Sequence, residues 1–149
     1  MYEFILAVHN ILRWIILILA IVALVRAYWG WFGKRDWTPS DRRVGSFYSI
    51  SLDVQLLLGL LLYFALSPIV SNNLGSFLTL LADRLFRFFA FEHMLLMFIA
   101  IILAHVGAAS SRRAVDTTLK HRRAAIWFTL SLIAILLGMP WFRPLLPGF

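Results

Sequence analysis

Cysteine is absent from this 149-residue chain. That excludes disulfides, thioether-attached c-type haem, iron–sulfur clusters and thiolate metal sites. Non-covalent haem and histidine-ligated metals stay open. Charge is scarce as well. Only 14% of residues are charged and 62% are hydrophobic, against about a quarter and roughly half in soluble domains. Acidic residues are the scarcest, seven Asp and Glu against fourteen Lys and Arg, for a formal charge of +7. Also missing are a Walker loop, a dinucleotide fingerprint, an HExxH pair, a GxSxG elbow and a broken transporter-like helix. With short loops and no soluble domain to hold a water-soluble substrate, chemistry beyond electron or proton transfer has to happen at a membrane. The basic balance does not point to nucleic acid, because no basic helix carries interleaved aromatics.

What is present is long apolar runs. A hydrocarbon core about 30 Å thick needs roughly 20 apolar residues per helix. Four segments qualify, at about 4–29, 44–66, 85–109 and 124–142, and they predict an all-α integral membrane protein, a single four-helix transmembrane domain over 1–149 with up-down topology. The first run follows Met1-Tyr2-Glu3 without a basic n-region and is too long for a signal-peptide core, so it reads as a mature helix. Asp41 or Ser40 is placed to cap helix 2, and Pro140, Pro144 and Pro147 end the last helix. The longer, partly apolar connection after helix 2 predicts a short amphipathic segment on the membrane surface.

Lys and Arg set the orientation. Arg26, Lys34, Arg35, Arg42 and Arg43 lie around the first loop, and Arg112, Arg113, Lys120, Arg122 and Arg123 around the third. The other side holds only Arg84, Arg87 and Arg143. This bias puts both basic loops in the cytoplasm and both termini outside, in the cell inner (plasma) membrane. Trp29, Trp31 and Trp37 at one face and Trp141 at the other fit aromatic belts.

Ionisable residues inside such helices are costly, face the bundle interior and mark a site by default. At about 1.5 Å of rise per residue, His9 lies about 9 Å and His93 about 7 Å outward of the midplane. They share a level on helices 1 and 3, which are diagonal in an up-down bundle. Two imidazoles projecting from opposite sides supply the axial positions of six-coordinate haem iron. Gly138 at the same level lets a flat macrocycle approach the backbone, and Met139 or Met97 is an alternative axial ligand. Arg13, one turn from His9, is placed to meet a carboxylate: a haem propionate, Glu92 or Asp53. His105 falls about 10 Å inward, and paired with His121 it is what a second haem would use. His121, beside Arg122 and Arg123, otherwise reads as a loop residue. Ala100, Ala104 and Ala108 form a small-residue packing stripe.

Four stretches, "HNILRW" (9–14), "DVQLLLGLLLYF" (53–64), "FEHMLLM" (91–97) and "HRRAAIWF" (121–128), carry a resemblance that covers essentially the whole chain. The layout resembles the small four-helix membrane cytochromes b, the cytochrome b561-like group, and is similar to short bacterial membrane proteins labelled cytochrome B. The resemblance implies a non-covalent haem b held by paired histidines, passing electrons between the quinol pool and a partner. Cytochromes of this shape commonly carry two haems and a histidine in helix 2; here Asp53 and Gln55 take its polar positions. Two other classes remain: a cofactor-free accessory subunit of a larger respiratory or photosynthetic complex, and a small carrier with an Arg13, Glu92 and Asp53 relay.

Overall fold

The computed structural model describes residues 1–66 and 82–142. The expected surface segment, Arg143, Pro144 and Pro147 lie outside these residues. Every regular element among them is helical. Four helices are long and apolar enough to cross a membrane, which marks a multi-pass membrane protein. They are α1 (Tyr2–Phe32), α2 (Pro39–Leu61, continued by a π-helical turn over Leu62–Leu66), α3 (Arg84–Arg113) and α4 (Thr117–Gly138). Helix α1 packs chiefly on α2 and α4, and α3 on the same two. Helices α1 and α3 therefore face each other across the bundle.

Polar turns start the helices earlier than the apolar runs suggest. Thr38, not Asp41 or Ser40, caps α2, with Pro39 in its first turn. Asp41 completes a capping box, its carboxylate accepting from Thr38 N–H at 2.8 Å and from Arg26 Nε at 2.8 Å. The cap thus ties α2 to α1. Asp116 caps α4 through Leu119 N–H at 2.7 Å, one to two turns before the expected start. At the other end, Met139 precedes Pro140 and is extended (φ −75°, ψ 135°), as a residue before proline prefers.

The core is built from small residues, as helix contact in lipid favours. Ala20, Ala23, Ala27 and Gly30 line the buried side of α1, and Ala100, Ala104 and Ala108 that of α3. Phe128 of α4 fills a notch between two glycines. A Cβ on Gly107 would stand 2.9 Å from its ring and one on Gly45 3.0 Å. Beside it runs a buried polar chain. Ser131 Oγ donates to the Ala100 carbonyl at 2.7 Å, so its lone pair must accept from the Tyr48 hydroxyl at 2.7 Å. One hydroxyl pair links α2, α3 and α4.

Candidate functional site

The end of the bundle opposite the basic loops gathers residues from all four helices. Helix α1 brings His9 near its start, and α3 brings His93 directly after a π-helical turn over Phe88–Glu92. Such turns add a residue to the helical register and recur at functional sites. Here the turn sets the direction in which His93 projects. The two imidazole centres lie 6.5 Å apart with planes crossed at 61°.

The rings are held from behind. His93 Nδ1 donates to the Gly138 carbonyl at 2.7 Å. Since a carbonyl only accepts, Nδ1 carries a proton, and in the neutral ring Nε2 is then the nitrogen with the lone pair. A backbone carbonyl in this position is the support that metal-bound histidines ordinarily have. Phe88 and Phe89 flank the same ring, with centres 6.0 and 6.2 Å away. On α2, Gln55 Nε2 donates to the His9 carbonyl at 2.9 Å. Gly59, one turn further, leaves its backbone beside the ring: a Cβ there would be 3.5 Å from His9 Cε1. His9 Nδ1 and Gln55 Oε1 are buried with no hydrogen-bond partner among the described residues. Each such orphan costs about 1–3 kcal/mol.

Arg13 is buried one turn inward from His9, with its guanidinium carbon 5.9 Å from the Trp14 ring centre. The carboxylates offered to it by the sequence are engaged with other bases. Glu92 bonds Arg87 at 2.9 Å and Asp53 bonds His105 at 2.8 Å.

Gly138 differs from the expectation of a flat surface for a macrocycle. A Cβ there would stand 2.6 Å from Met97 Cε and 2.9 Å from Leu96 Cβ, so the glycine lets α4 close on α3. Its contribution to the site is its carbonyl. Met97 packs there, and Met139 is buried in the core.

The inner histidines are not brought together. His105 sits on the outer side of the α2–α3 seam with Asp53. His121 is no loop residue. It is buried on α4, its ring against Gly30 of α1 and 4.9 Å from the Trp37 ring. Sequence reading missed Gln55 and Gly59 as neighbours of His9, and Gly30 as the seat of His121. The signal for the first two was their i, i+4 spacing on one face of α2.

The site's donor set can be tested against what it might hold. A metal–imidazole bond is about 2 Å long, so two rings on opposite sides of one metal ion have centres about 6–6.5 Å apart. The observed separation is 6.5 Å. Among the described residues no three His, Cys, Asp or Glu side chains gather to hold a metal ion. Two imidazoles without a third ligand do not make a protein-only metal site, which takes three or four. They suit an ion whose remaining positions are filled by a planar macrocycle. No protein-family model, curated protein or solved structure matches this chain.

Proposed function

We propose that this chain is a b-type haem-binding electron-transfer protein with His9 and His93 as the axial ligands. In this reading it is an up-down four-helix bundle in the cell inner (plasma) membrane, with basic loops in the cytoplasm and both termini outside. The observation that carries it is the pair of imidazoles on α1 and α3 with centres 6.5 Å apart, and one nitrogen of His93 fixed by Gly138.

When bound, haem supplies a one-electron centre. The protein's own contributions follow from the geometry. Gly138 takes the Nδ1 proton of His93, so Nε2 is the nitrogen left for iron. Gln55 and Gly59 fix the backbone and leave room beside the His9 ring. Arg13 adds a positive charge on the inner side, where it favours an anionic propionate and raises the affinity for an added electron. Lipid-soluble quinol on one side and a partner protein on the other are the donor and acceptor this reading assigns to a haem held between membrane-spanning helices. This reading calls for one haem, and His105 stands apart from the pair.

The test is a reduced-minus-oxidised spectrum of the purified protein. Sharp low-spin b-haem bands are expected, lost in both His9→Ala and His93→Ala. A porphyrin-free protein, or bands untouched by either substitution, would end the reading.

A cofactor-free accessory subunit of a larger membrane complex is the second reading. One observation favours it: the His105–Asp53 pair faces outward in mid-span, where a protein neighbour would cover it better than lipid.

A further inference from the structure

We infer that the α2–α3 face carrying His105 and Asp53 is the interface between two copies of this chain in the membrane. The inference goes beyond haem binding and stands on a different observation. His105 Nε2 and Asp53 Oδ1 are 2.8 Å apart, and 49% and 45% of their side chains are exposed. The pair lies well within the spanning helices: His105 is about 12 Å from Arg113 at the basic end of α3, and Asp53 about 21 Å from Pro39 at that end of α2. Around it stand exposed Ile50, Val54 and Leu57 of α2 and Ile102 and Val106 of α3. An ionisable pair ringed by lipid-facing aliphatic side chains is costly in hydrocarbon and ordinarily faces protein or a water-filled cavity.

Charge complementarity selects the occupant. One hydrogen bond joins the two groups, and the described residues offer neither a second one. A pair that is neutral overall, as hydrocarbon favours, presents the same outer groups wherever the shared proton sits: an N–H on His105 Nδ1 and an acceptor at Asp53 Oδ2. The face therefore presents one donor beside one acceptor, which is self-complementary. Two copies inserted the same way keep every residue at its own depth, so a two-fold axis along the membrane normal brings one pair to the other. His105 of each copy then bridges to Asp53 of its mate. The four groups close a ring of donors and acceptors with no net charge. An unrelated partner would need a polar group of the right kind at that depth. Two interhelical hydrogen bonds of ordinary membrane strength amount to about eightfold in the dimerisation constant.

The absence of native cysteine makes the test clean. Single cysteines at Val54 and Ile102, and control cysteines at Ile18 of α1 and Ile133 of α4, are introduced into the full chain with the pair intact. Oxidative crosslinking is then measured in native membranes. Homodimer crosslinks at Val54→Cys or Ile102→Cys, and not at the controls, are expected. Adding Asp53→Leu and His105→Leu should lower the yield about eightfold. Crosslinks at no position, crosslinks equally strong at the controls, a band joining this chain to a different protein, or a yield indifferent to the leucine pair would each overturn the proposal. If the leucine variant fails to fold, by loss of helical circular dichroism, the cysteine pattern in the intact pair decides alone. The haem spectrum is read on the same samples, so failure of the interface and failure of the haem reading are distinguishable.

Discussion

Gly30→Ala should unseat a histidine that anchors the basic end of the bundle. The new Cβ would fall well inside 3.0 Å of Cε1, Nδ1 and Nε2 of His121. Three ring atoms are involved, so a small rotation of the ring does not relieve the overlap. The imidazole must leave its buried place between α1 and Trp37. Overpacking of this kind costs about 1–3 kcal/mol, and alanine returns about 0.5–1 kcal/mol over glycine within a helix. The net expectation is a loss of about 1 kcal/mol. His121→Ala alone leaves a void but also removes the buried, partnerless Nδ1, so its cost is smaller, about 1 kcal/mol. In the double variant the methyl group introduced in place of the Gly30 hydrogen occupies the space the ring has left. The two substitutions should therefore couple favourably by about 2 kcal/mol. Reversible unfolding in mixed detergent micelles measures all four corners of the cycle. Additivity within about 0.5 kcal/mol would refute the reasoning, because it would mean that the ring does not rest on Gly30.

Other perturbations test separate parts of the structure. Gln55→Met removes a bond to the His9 carbonyl but also a buried acceptor without a partner. In cofactor-free protein it should gain about 1 kcal/mol, and a loss of that size by the same unfolding assay would count against it. Tyr48→Phe removes the donor to Ser131 while sparing the Ser131–Ala100 bond. A loss of about 0.6–1 kcal/mol is expected, and no loss in a Ser131→Ala background. Asp41→Ala breaks the capping box and the Arg26 bond together, which should lower stability by about 1–2 kcal/mol and speed amide exchange in the first turn of α2.

Much of the fold was legible because lipid imposes a simple rule on sequence. Four apolar runs of sufficient length had few other uses, and they became α1 to α4. Helix ends were less legible. Thr38 and Asp116 lie in polar stretches that hydropathy assigns to loops, and only their side-chain bonds to the following turn show that the helices begin there. Depth along a helix could be computed from residue number, so the meeting of His9 and His93 was foreseeable. Azimuth could not, because the π-helical turn over Phe88–Glu92 resets the register by one residue. The same limit hid the partners of the other polar groups. Asp53 was one of three candidates for Arg13, beside a propionate and Glu92, yet its direction takes it to His105 on the outer side. His121 looked like part of a basic loop because Arg122 and Arg123 follow it. Its burial depends on Gly30, which lies 91 positions away in the sequence.

The proposed haem would be held by His9 and His93, and electron paramagnetic resonance of the oxidised protein at low temperature tests that directly. Two neutral imidazoles hold ferric haem low-spin. Planes crossed at 61° bring two of the iron d orbitals close in energy, because each ring raises a different one. The account predicts one strongly anisotropic low-spin signal, abolished by His9→Ala and by His93→Ala. A high-spin signal from the wild-type protein, or no haem signal from protein purified out of haem-replete membranes, would contradict it.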